Sequence, residues 1–171
     1  MALPRKLKNM NLFNDAQSYL GIIEEVTLPK ITRKFEGYRG GGMNGSAQID
    51  MGLDDGALDM DITLGGIEAQ IYEQWGISEI DGVMLRFNGA YQRDDTGETT
   101  AVEVVVRGRF KEIDPGNSKA GENTQVKLPF QPTYYKLIMD GSEKIEIDIL
   151  NMVEKAGGVD RLAEQRAALG L

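Results

Sequence analysis

Apolar residues in this chain recur at every second position far more often than at every third or fourth, and that period governs what it can fold into. Ala47, Ile49, Met51 and Leu53 alternate with polar residues. After Asp54-Asp55-Gly56, Leu58, Met60, Ile62 and Leu64 do the same, interleaved with Asp59, Asp61 and Thr63. Val83, Leu85, Phe87 and Tyr91 fall on one face of a third segment, and Val102, Val104, Val106 and Phe110 on one face of a fourth. Val126–Met139 reads as one long extended stretch that turns at Asp140-Gly141 into Ile145, Ile147 and Ile149. Leu12–Asn14 and Tyr19–Leu28 predict one more hairpin around Asp15. Side chains of a strand point alternately to its two faces, so these segments predict sheets with one buried face. Short turns between several successive runs predict antiparallel neighbours.

Two segments depart from this period. Ile67–Trp75 places Ile67, Ile71 and Trp75 on one helical face, with Gly76 as a C-terminal stop. Asp160 is positioned to cap a helix over Arg161–Leu169, with Leu162, Ala163 and Leu169 as an apolar stripe. The fold class expected is mainly β, α+β by composition: an antiparallel barrel or sandwich with one or two short helices. Two stretches lack a clear pattern, Pro29–Ser46 and Asp114–Gly121. The first is long for a structureless loop inside a compact domain, and such loops are usually functional or disordered.

The chain's 171 residues suffice for one domain with a substantial core. Its net charge of −8 gives no general attraction for a phosphate backbone. With no cysteine and no histidine, disulfides, thiolate zinc sites and Ser–His or Cys–His dyads are excluded. Met1–Asn11 is short, basic and without an apolar signal core, and no run approaches the roughly 20 apolar residues of a membrane helix. The expectation is a soluble chain made in the cytosol, with no stable membrane association.

Four motifs invite chemistry. Gly40, Gly42 and Gly45 spell GxGxxG, but a dinucleotide loop needs a strand before it and a helix after it, and here a strand follows. Asp95-Thr96-Gly97 matches the aspartic-protease triplet, yet it lies in the hydrophilic hairpin tip QRDDTGE rather than in an apolar, shared-proton site. Asp50, Asp54, Asp55, Asp59 and Asp61 hint at a calcium loop, but counting from Asp50 puts Gly52 at position 3 and Asp55 where glycine is required. Asn44-Gly45-Ser46 is a glycosylation triplet without a secretory signal. No catalytic or metal constellation survives, and no cofactor is expected.

Several stretches carry a resemblance. MALPRKLKNMNLF, LPKITRKFEGYRGGGMNG, IDMGLDDGAL, FKEIDPGNSKAGE, TYYKLIMDG and GVDRLAEQRAALGL, in this order along essentially the whole chain, resemble the major tail tube protein of contractile-tailed bacteriophages. The same family forms the inner tube of R-type, phage-tail-like bacteriocins. One departure is Ala16, where the resemblance implies glycine in the first hairpin. The resemblance implies one tail tube domain over residues 1–171, hexameric rings stacking into a hollow tube, and strands of each subunit joining one lumen barrel. It implies a non-enzymatic virion protein, assembled in the host cytoplasm, that passes DNA and a tape-measure protein. Sheath and baseplate or initiator proteins are its other expected partners.

Under that reading the lumen carries Gln48, Asp50, Asp59 and Asp61, with Arg86, Glu103 and Arg107 as competing residues. The N-terminal arm (1–11) and a glycine-rich loop (30–46) reach between subunits, the loop through Arg33, Tyr38, Arg39, Gly40, Gly41, Gly42, Met43 and Asn44. The loop is expected to be mobile in the free subunit and ordered in the tube. A tube protein of a type VI secretion-like system shares these features, and an aspartic-type hydrolase built on Asp95 is the alternative of a different class.

Overall fold

The computed structural model describes residues 1–171. The strands in chain order are β1 (Lys6–Asn14), β2 (Gln17–Ser18), β3 (Ile23–Thr27), β4 (Arg33–Tyr38), β5 (Ala47–Leu53) and β6 (Met60–Leu64). After helix α1 (Ala69–Glu73) come β7 (Val83–Gln92), β8 (Thr99–Phe110), β9 (Val126–Met139), β10 (Ser142–Asp148), β11 (Val153–Ala156) and β12 (Val159–Asp160). Helix α2 (Ala163–Ala168) closes the chain. Ten strands form one antiparallel sheet in the order β12-β11-β10-β9-β8-β7-β1-β2, with β6 pairing both β9 and β3. β4 and β5 form a separate two-stranded ribbon.

Strand β9 organises the sheet because it changes partners along its length. Val126–Phe130 pairs with β6, and Tyr134–Met139 pairs with β10, while β8 runs along its other edge. The change occurs at a bulge: Arg107 pairs with Tyr134 but Gly108 with Pro132, which leaves Thr133 extra. Pro132 has no N–H to give to a ladder, and bulges bend strands, so proline and bulge coincide where the sheet must turn. The sheet therefore curls, and the start of β3 is tied to the end of the β1–β2 hairpin, where the Ile22 and Ile23 N–H groups both donate to the Tyr19 carbonyl at 2.9 Å.

A cluster of 19 buried apolar residues fills the curl. It contains Val83, Leu85 and Phe87, Val102, Val104, Val106 and Phe110, and Met60, Ile62 and Leu64, the alternating positions read from sequence. The Phe110 and Phe130 rings meet edge to face at 5.1 Å, a favoured aromatic geometry. The Asp140-Gly141 turn is present with both residues at positive φ, as a two-residue hairpin loop requires. At the first hairpin Asp15 adopts φ of 51°, so aspartate takes the left-handed position and Ala16 needs no glycine.

Helix α1 packs over one end through a single buried apolar residue, Ile71, and a polar network. Buried Asn14 donates from Nδ2 to Tyr19 Oη (3.1 Å) and Gln74 Oε1 (2.7 Å), and accepts from Gln74 Nε2 at 2.9 Å. Tyr19 Oη donates to Gln70 Oε1 at 2.8 Å. Burial pushes the Tyr19 phenol up to about 12. Asn14→Ala leaves Tyr19 and Gln74 short of partners, and is expected to lower stability by about 1–3 kcal/mol in urea unfolding.

Several expectations are corrected. Pro29–Ser46 is not a structureless loop: Arg33–Tyr38 is a strand paired along Ala47–Leu53. Alternation was invisible there because both faces of the ribbon meet solvent, and Ile49 and Met51 are 46% and 55% exposed rather than core. β5 does not pair with β6 across Asp54-Asp55-Gly56; that turn redirects the chain from the ribbon into the main sheet. The arm expected over residues 1–11 shrinks to Met1–Arg5, because Lys6 already pairs with Gln92. Ile67 and Trp75 are exposed, so α1 buries no three-residue face. The C-terminal helix is Ala163–Ala168, shorter than residues 160–169, and Ala163 and Leu169 of its expected stripe are exposed. Asp160 acts before it, accepting the Leu162 N–H and the Arg166 guanidinium.

Candidate assembly interface

The β4–β5 ribbon is an arm built by local rules. Its register sets Phe35 opposite Asp50, Glu36 opposite Ile49, Gly37 opposite Gln48 and Tyr38 opposite Ala47. One face thus gathers Tyr38, Ala47, Ile49 and Met51, an apolar stripe in water with Glu36 beside it. Phe35 (55% exposed) lies on the opposite face with Gln48 and Asp50. A two-stranded ribbon is marginally stable alone, so its exposed apolar groups call for a cover.

The glycine run forms the tip of this arm. Gly40 donates its N–H to the Met43 sulfur at 3.1 Å, and the Met43 N–H returns to the Gly40 carbonyl at 3.2 Å. Arg39 Nε donates to the Met43 carbonyl at 3.2 Å, and Gly42 takes φ of 87°. The Tyr38 ring lies so close to Gly40 that a Cβ there would stand 3.0 Å from its hydroxyl. The glycines therefore shape a turn and admit a ring. Gly41, Asn44 and Gly45 are open to solvent, and Met43 is half-buried.

The arm is clamped at its root. The Arg33 guanidinium donates to Asp50 across the ribbon and to Glu154 of β11. The Gly52 N–H, at 2.9 Å, and Arg33 hold the Asp50 carboxyl below its usual range. Glu154 is 121 residues from Arg33 and carries no local signal, so sequence reading missed it.

The four carboxylate and amide residues expected in the lumen are not brought together on one strand. Gln48 and Asp50 sit on the arm, Asp59 in the turn before β6, and Asp61 on β6, all exposed. Among the competing residues, Arg86 lies over the Phe13 ring at 4.5 Å, on the outer face of β1 and β7.

Asp95 has a structural engagement. Arg93 holds it by two donors (3.0 and 2.6 Å), the Leu3 N–H donates to it at 3.1 Å, and the Arg93 bond first of all lowers its carboxyl to about 2. A carboxylate so paired is poorly placed to share a proton. Because its folded value lies below the unfolded one, its contribution to stability is present above about pH 4 and disappears as pH falls through about 2. Asp95→Asn should flatten that part of the stability–pH profile in acid unfolding.

No helix is long and apolar enough to cross a membrane, and no group of three or more carboxylates is placed to hold a metal ion. The family model for phage tail tube protein FII matches residues 4–170. The chain belongs to the phage tail tube protein family. The tail tube protein of Escherichia phage P2 is 57% identical over the full length of both chains. The major tail tube protein of Serratia phage KSP20 is 42% identical over all of this chain and 99% of its own. A chain in the baseplate of the anti-feeding prophage shares the fold, with a TM-score of 0.56 at 10% identity over 81% of this chain and 97% of that one. As a tail tube protein the chain is a structural subunit of a contractile phage tail.

Proposed function

We propose that copies of this chain close into hexameric rings that stack as the inner tube of a contractile tail, a conduit for DNA and a tape-measure protein. The observation that carries this is the arm: an apolar stripe on a two-stranded ribbon standing off the core of a tail tube protein. Free sheet edges at β3 and β12 supply the complementary need, because unpaired edges are quenched when neighbouring copies extend the sheet. Head-to-tail contacts that close by rotation make rings, and those that do not make stacks. Sheath and baseplate proteins are its proposed neighbours, with assembly in the host cytoplasm and penetration of the cell envelope by the finished tail.

Asp59 and Asp61, with Gln48 and Asp50 of the arm, are proposed to face the bore. Phosphate is repelled by such a surface over a Debye length of about 8–10 Å, so DNA slides without adhering. Electron microscopy of the concentrated protein tests both statements. Hollow tubes of stacked rings are expected, with Asp59 and Asp61 on the channel wall. A monomer that never polymerises, alone or with tail initiator proteins, contradicts the first statement; a map placing both carboxylates away from the channel contradicts the second.

A further inference from the structure

The root of the arm borders a cleft of about 890 Å³, between β5 and the β10–β11 hairpin. Leu53, Ile147 and Val153 give it apolar walls, and Asp54, Asp55 and Asp148 line its margin. The one cation lining it, Arg33, is already held by Asp50 and Glu154, so Asp54 and Asp55 face the cleft without a cationic partner. The opposite chemistry sits at the other end of the same arm. Arg39 is the one charged residue between Gly37 and Ser46, so the tip is positive within a chain of net charge −8, whereas Lys30, Arg33 and Lys34 stand at or before the root. At its tip the Tyr38 ring is 60% exposed, and Arg39 bonds only to its own turn.

We propose that the arm tip of one copy, led by Tyr38 and Arg39, seats in the cleft at the arm root of a second copy. This deepens the tube reading and rests on it. The occupant is argued from charge and reach. Tyrosine and arginine are the side chains that most often anchor a protein interface, the ring against apolar walls and the guanidinium against carboxylates. A tip cannot fill its own cleft, because the intervening extended residues, at about 3.3 Å each, hold the two roughly 15–20 Å apart. Tip and root are different surfaces, so the contact is heterologous and repeats from copy to copy without a self-limiting dimer. Segregation of positive tip from negative cleft also sets polarity, since tip-to-tip and cleft-to-cleft encounters repel.

The absence of cysteine from the chain provides a direct test. Asn44→Cys at the tip, combined with Asp55→Cys at the cleft, is expected to give a ladder of disulfide-linked multimers when assembled tubes are oxidised. Either substitution alone should give none beyond a dimer. Tubes visible by microscopy without a ladder would overturn the proposal while leaving the tube reading intact. Failure of the unsubstituted chain to form tubes would instead sink the tube reading itself. A charge exchange keeps the test decisive if the cysteines disturb assembly. Arg39→Glu and Asp55→Arg should each lower the polymerised fraction at least tenfold, and together restore it; additive loss would refute the contact.

Discussion

Gly108→Ala is expected to cost at least about 3 kcal/mol, the upper end for overpacking. A methyl group at position 108 would overlap the Gln131 carbonyl oxygen and stand 2.7 Å from its carbon and 2.8 Å from Pro132 Cα. All three are backbone atoms, so no rotamer change relieves the collision. The strands themselves must separate, and they do so at the bulge where β9 leaves β6 for β10. Loosening that point disturbs the Phe110–Phe130 contact and the pairing that turns the sheet around its core. For a domain of this size the loss corresponds to a fall in melting temperature of roughly 6–12 °C. Gly66→Ala is the matched control: a Cβ there meets nothing within 4 Å, and a change within about 0.5 kcal/mol is expected. Thermal unfolding of the two variants side by side measures the difference, and equal melting temperatures would show that the bulge yields at little cost.

The bulge also illustrates what the sequence could and could not disclose. Strands with one face on the core wrote themselves as strict alternation, and Val83–Phe87, Val102–Phe110 and Met60–Leu64 were legible for that reason. Val126–Met139 was legible as one extended stretch, but its change of partner was not, because pairing is a non-local property that Pro132 marks only afterwards. The arm divides in the same way. Ala47–Leu53 alternated correctly, yet alternation reports an apolar face and not what covers it, so a solvent-exposed face read as core. Arg33–Tyr38 faces solvent on both sides and showed no period at all. The clamp from Arg33 to Glu154 joins residues whose proximity only the finished topology creates. The glycine tip was legible in its location, since a strand after Gly45 removed the phosphate-loop reading, but its internal turn through Met43 was not.

The double substitution Ile49→Asp with Met51→Asp is expected to abolish tube formation while leaving the subunit folded. Both side chains are about half exposed on the arm, so little core burial is lost and unfolding in urea should shift by less than about 1 kcal/mol. In the proposed tube the same stripe is covered by a neighbouring copy. Completing the burial of each side chain contributes on the order of 1 kcal/mol, and a carboxylate in its place must be desolvated without a partner. Together the two changes weaken each arm contact by at least about 3 kcal/mol, more than a hundredfold in its dissociation constant. Every copy in a ring repeats the contact, so the threshold concentration for polymerisation should rise beyond reach rather than merely increase. Sedimentation across a concentration series, paired with urea unfolding of the same samples, separates assembly from folding. Tubes forming at an unchanged threshold would show that the stripe is solvent-facing in the particle, and the arm would then hold its neighbours through its tip alone.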